Sequence, residues 1–146
     1  TNIFPFTFVA PALTGGAAAH GAIAAGLGID YYQVTISNDI SVALFELSCL
    51  NGNANLVVRR AAPGPHPLPT RVVYDYGSVN AGPADELVGV TTAQNPVRLT
   101  PGTWYLGVYN NDNQPVNYCV SVTQHKVVTN GVPPLLAADT PLTLTI

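Results

Sequence analysis

The chain has 146 residues, enough for one domain with a real core. It is 47% hydrophobic yet only 9% charged, against about 25% in an ordinary soluble domain, so part of its surface reads as covered by a neighbour. A net charge of −3 with five basic residues leaves no phosphate-binding stripe, which excludes nucleic acid as a partner.

Period-two alternation dominates from one end to the other. Residues 3–9 (IFPFTFV) place Phe4, Phe6 and Phe8 on one face and predict an N-terminal strand. The stretch GGAAAHGAIAAGLGI (residues 15–29) contains five glycines and a histidine. It is too short to span a bilayer, so no membrane insertion is expected. It has no basic n-region, and its glycines argue against a helix. Strands are then predicted at DYYQVTIS (30–37), SVALFELSC (41–49), ANLVVRR (54–60), TRVVYDYG (70–77), DELVGVTT (85–92), NPVRLT (95–100), TWYLGVYN (103–110) and VNYCVSVTQ (116–124). The last predicted strand is PLTLTI (141–146), with Leu142, Leu144 and Ile146 on one face. Between the runs sit NGN, APGPHPLP, NAGP, TPGT, NNDNQP and TNGVPP, which are turn chemistry. Many short strands at such spacing predict an all-β, antiparallel sandwich.

Catalytic patterns are missing from this sequence. None of His20, His66 and His125 has a second His or Cys at metal-ligand spacing. There is no nucleophile elbow, P-loop or zinc-protease motif. Asp85 and Glu86 are neighbours, so on a strand they diverge and do not make an acid–base pair. The expectation is a non-enzyme that uses no cofactor. Cys49 and Cys119 are read as one disulfide of a secreted chain, with two free thiols as the alternative. Their phases disagree: Cys49 alternates with Phe45 and Leu47, Cys119 with Ser121 and Thr123. Trp104 is in phase with Leu106 and Val108 and is expected in the core. Tyr31, Tyr74, Tyr76, Tyr105 and Tyr109 are candidates for an exposed aromatic platform that stacks on a sugar or packs on a partner.

Four segments, DYYQVT (30–35), NANLVVRR (53–60), PGTWYLGVY (101–109) and YCVSVT (118–123), resemble in order and spacing the bacterial pre-peptidase C-terminal domain family. The resemblance covers roughly residues 21–124. It implies a jelly-roll-like β-sandwich and a secreted, non-catalytic accessory module of extracellular hydrolases, with relatives that include calcium-holding collagen-binding domains. Where that family places acidic residues in a strand-leading turn, this chain has NGNANL. Asn51, Asn53 and Asn55 are therefore neutral, weak calcium candidates, and no metal site is expected.

The expected organisation is an N-terminal strand and Ala/Gly-rich lead-in over residues 1–20, a sandwich over 21–125, and a tail with an extra terminal strand over 126–146. Two functions follow. In the first, the chain is an extracellular or cell-surface structural protein that assembles with copies of itself. The contacts would run through apolar terminal strands: Phe4, Phe6 and Phe8 at one end, Leu142, Leu144 and Ile146 at the other. In the second, it is a secreted binding module that attaches a hydrolase to polysaccharide or protein.

Overall fold

The computed structural model describes residues 8–62 and 68–127. Eight strands form: β1 (Ala19–Ile23), β2 (Ile29–Ile36), β3 (Val42–Ser48), β4 (Ala54–Arg60), β5 (Tyr76–Ser78), β6 (Glu86–Thr91), β7 (Gly102–Asn110) and β8 (Val116–His125). There is no helix among the described residues. The strands make two four-stranded antiparallel sheets, ordered β1-β8-β3-β6 and β2-β7-β4-β5. That pair of orders is an eight-stranded jelly roll, so the expected all-β, jelly-roll-like sandwich is the architecture observed. The terminal strands expected at 3–9 and 141–146 fall on or run into segments outside the described residues.

Alternation explains most of it. In β7, Trp104, Leu106 and Val108 turn inward and are fully buried. In β3, Ala43, Phe45 and Leu47 do the same. Phe45 and Trp104 meet across the two sheets with ring centroids 6.1 Å apart. The indole N–H of Trp104 is satisfied by the carbonyl of Thr100 at 2.9 Å, which makes burial of the largest side chain tolerable.

Three segments depart from the pattern. The Ala/Gly stretch carries β1, which no alternation signals. Ala19, Gly21 and Ile23 pair with Val120, Tyr118 and Val116, so they share the core face. Of residues 70–77, only Tyr76 and Gly77 enter a strand. The remainder forms a turn in which the Thr70 hydroxyl accepts from the amides of Val72 and Val73 at 3.3 and 2.9 Å. Local side-chain bonding of this kind competes with the ladder. Residues 95–100 are a connection, and the Leu99 amide donates back to the Thr91 carbonyl.

Each sheet edge is blunted by the chain itself. Along β2, Gln33 bonds Pro11 and Leu13 through its backbone at 2.9 and 2.8 Å. The Thr35 carbonyl accepts from Gln124 Nε2 at 3.0 Å. On β6, the Leu87 amide is taken by Ser78 Oγ at 3.3 Å and the Thr91 carbonyl by Leu99 at 2.9 Å. The remaining edges, β1 and β5, are five and three residues long. Short, occupied edges resist strand addition even without charged gatekeepers.

Candidate functional site

The outer face of the β2-β7-β4-β5 sheet is built from the odd positions of its strands. Register places Tyr31, Gly107, Val57 and Gly77 in one row across four strands. Tyr105 sits between Gln33 and Arg59, and Tyr109 between Ile29 and Asn55. Residues 68–75, the described end of the β4–β5 connection, cross this face as a strap. A Cβ on Gly107 would lie 3.4 Å from Pro69 Cγ and 3.0 Å from methyls of Ile29 and Val57. A Cβ on Gly77 would lie 2.8 Å from the Tyr74 ring. The two glycines are thus the space in which the strap rests.

Polar contacts hold the strap down. The Tyr31 hydroxyl donates to the Pro69 carbonyl at 2.8 Å, and Arg59 Nη1 to the Leu68 carbonyl at 3.3 Å. Arg71 Nη2 donates to the carbonyls of Gly26 and Asn110. Its guanidinium carbon lies 4.5 Å from the Tyr109 ring centroid, a cation–π contact worth about 0.5–2 kcal/mol. Burial raises the Tyr31 hydroxyl above the ordinary tyrosine range.

Four of the five candidate tyrosines therefore belong to one face. Tyr31 and Tyr109 serve as floor under the strap, Tyr74 lies on top of Gly77, and Tyr105 flanks them. Tyr76 points the other way: it packs against the core, and its hydroxyl donates to the Val97 carbonyl. Apolar side chains stand exposed on and beside the strap. Val72 is 85% exposed and Leu27, next to the Gly26 that Arg71 holds, is 87% exposed. Phe8 rests edge-on against Tyr31 at 6.0 Å, with Val9 exposed beside it. Phe4, Phe6, Leu142, Leu144 and Ile146 lie outside the described residues, as does His66.

Asn51 and Asn53 tie their turn to β8 and to the β7–β8 connection, whereas the side-chain oxygens of Asn53 and Asn55 are buried with no hydrogen-bond partner among the described residues. Asn51 Oδ1 accepts from the Asn117 amide at 2.8 Å, and the Asn53 amide donates to Asp112 Oδ2 at 3.2 Å. Asn55 is buried on the outer side of β4. Among the described residues no group of three or more His, Cys, Asp or Glu side chains gathers around one point. His20 and His125 lie six residues apart along β8, by the register of His20 with Cys119. Asp85 and Glu86 diverge as expected. Glu86 turns wholly inward, where its Oε2 accepts from Ser78 Oγ and from the Asn80 amide, joining the two sheets at β5 and β6.

The opposite sheet carries the disulfide. Cys49 and Cys119 are bonded, with Cα atoms 5.4 Å apart. The phase conflict is resolved by one backbone angle. Cys49 lies just past β3 with φ of 58°. This left-handed turn swings its side chain from the inward phase of Leu47 to the outer face, where Cys119 points. Nothing in period-two alternation could signal that. A second network missed by sequence reasoning joins the sheets from within. The Tyr118 hydroxyl donates to Asp30 Oδ2 at 2.7 Å and lies 2.7 Å from the Tyr32 hydroxyl. Burial first, then these two partners, pushes the Tyr118 hydroxyl far above the ordinary tyrosine range. Its sequence signal was the polar end of DYY facing inward.

Comparison with known proteins gives the fold. The structure is similar to the pre-peptidase C-terminal domain of a collagenase from Bacillus anthracis, with a TM-score of 0.55 at 18% identity over 84% of this chain and 100% of that one. It is also similar to a periplasmic inhibitor of g-type lysozyme from Aeromonas hydrophila, with a TM-score of 0.44 at 16% identity over 78% of this chain and 96% of the other. No family model and no curated protein matches the sequence. The fold is that of the family which the four segments resemble.

Proposed function

We propose that this domain is a non-catalytic module that works by surface contact outside the reducing cytosol, and that its partner is another copy of the chain. One observation carries the reading: the apolar layer around the strap, where Val72 and Leu27 stand almost fully exposed on a face whose floor is rigidly pinned. A large aliphatic side chain left in water forgoes roughly 1.5–3 kcal/mol of burial. A pinned strap also loses little entropy when it docks.

Three further features support it. The disulfide fits an oxidising compartment. Charge complementarity favours a second copy: Arg71 belongs to the strap face, whereas Glu46 lies on the outer side of β3, on the other sheet, beside exposed Leu87 of β6. Unlike faces that meet head to tail extend a filament when the contact does not close into a ring. Phe8 leads toward the strap face, so the N-terminal phenylalanines are candidate contributors to the same contact. Blunted edges favour face packing over strand addition as the main contact of the described domain.

Sedimentation of the full chain against concentration tests the proposal. The chain should form particles well above 15.2 kDa, and Val72→Asp or Leu27→Asp should weaken association by at least roughly tenfold. A full chain that stays monomeric at high concentration, or variants that assemble unchanged, would overturn it. The likeness to a collagenase domain, together with the tyrosine face, supports a second reading: a module that attaches a hydrolase to a polysaccharide or protein. A monomer retained on a polysaccharide column, and released by Tyr105→Ala or Tyr74→Ala, would favour that reading instead.

A further inference from the structure

We propose that the Cys49–Cys119 disulfide is a directional thiol-exchange site, at which a low-molecular-weight thiol becomes bonded to Cys49 while Cys119 leaves against His20. The two sulfurs occupy opposite environments. Cys49 is exposed, and its left-handed backbone holds the side chain out from the end of β3. Cys119 is 5% exposed, in the middle of β8. Register sets His20, Cys119 and Ser48 side by side on neighbouring strands. His20 Nδ1 lies 3.2 Å from Cys119 Sγ. The Ser48 hydroxyl lies 3.8 Å from Cys49 Sγ.

Exchange requires an incoming thiolate to approach one sulfur along the line of the S–S bond while the other departs. Only the Cys49 side of this bond is open to solvent. Attack there forms the new bond between the thiol sulfur and Cys49 and breaks the bond to Cys119. The electron pair stays on Cys119 Sγ, and the thiol's proton is released when the thiolate forms. His20 Nδ1 faces the sulfur on which negative charge develops, and in the proposed step it carries the ring proton and donates a hydrogen bond that stabilises the departing thiolate. No net oxidation occurs, because one disulfide replaces another. His20 acts here as a positioning and charge-stabilising residue. The ladder between β3 and β8, in which Ser48 pairs with Cys119, remains in place without the covalent bond.

The test uses the full chain with reduced glutathione as the probe. Samples are quenched in acid, alkylated, digested and mapped by mass spectrometry. Glutathione is expected on Cys49 and the alkylating label on Cys119, in a ratio above roughly tenfold. His20→Ala should slow adduct formation by roughly tenfold, the effect of one hydrogen bond to a developing charge. His20→Asn, which keeps an N–H donor near the Nδ1 position, should restore most of the rate, whereas a merely structural role would treat the two variants alike. Adduct shared between both cysteines, a His20→Ala rate equal to that of the unsubstituted chain, or exchange seen only in denaturant would each overturn the assignment.

Discussion

Replacing Gly21 by alanine should destabilise the sandwich, although the general expectation has the opposite sign. Glycine inside a strand is ordinarily worse than alanine by about 0.5–1 kcal/mol, because it loses more backbone entropy on folding. Here a Cβ would stand 2.3 Å from Cζ and 2.4 Å from the hydroxyl oxygen of Tyr118. That ring cannot swing clear. It is 2% exposed, and its hydroxyl is tied to Asp30 and Tyr32 at 2.7 Å each. Overpacking of a well-filled site costs about 1–3 kcal/mol. Displacing the ring also weakens a hydrogen bond to a carboxylate, worth about 1.5–3 kcal/mol. Against the entropic gain, the net expectation is a loss of about 3 kcal/mol, or a fall in Tm of about 10 °C for a chain of this size. Urea titration followed by Trp104 fluorescence measures it. The control is the same substitution in a Tyr118→Val background, where the ring is gone and the added methyl should cost below about 1 kcal/mol. A neutral or stabilising Gly21→Ala, or an equal cost in both backgrounds, would refute the reasoning.

Two other outcomes are expected. Cys49→Ala with Cys119→Ala opens a loop of 70 residues, and the chain-entropy account puts the loss near 4 kcal/mol by urea unfolding; a loss below about 1 kcal/mol would mean that residual structure in the unfolded chain already holds the two segments together. Tyr118 has its hydroxyl raised above the ordinary value of 10.0, so the folded state holds this proton more tightly than the unfolded chain does. The resulting stability is complete below about pH 10 and declines above it by about 1.4 kcal/mol per pH unit. Tyr118→Phe should flatten that alkaline decline, and an unchanged slope would assign the decline to other groups.

Alternation by itself determined the sandwich. Strands β2, β3, β4, β6, β7 and β8 lie within one or two residues of where apolar and polar side chains alternate, because a half-buried strand has no other way to satisfy two faces. The order of four segments, matched to a known family, carried the jelly-roll topology that local pattern cannot supply. The sequence also pointed to the tyrosines and the cysteines as the features outside plain scaffold. It did not show that the Ala/Gly stretch is a strand. β1 can lie beside β8 because position 21 has no side chain to meet the Tyr118 ring, a condition set from nearly a hundred residues away. Nor did it show that residues 70–75 leave the sheet and lie across it. VVYDY is β-branched and aromatic as a strand should be, but the Thr70 turn and the seats over Gly107 and Gly77 outweigh a ladder that β4 offers to only three residues. The strap, the pairing of Arg71 with Tyr109, the outward turn of Cys49 and its neighbour His20 are all contacts between distant segments. Period and propensity describe a residue's relation to its own strand; which face finally meets water is decided by what the rest of the chain lays over it.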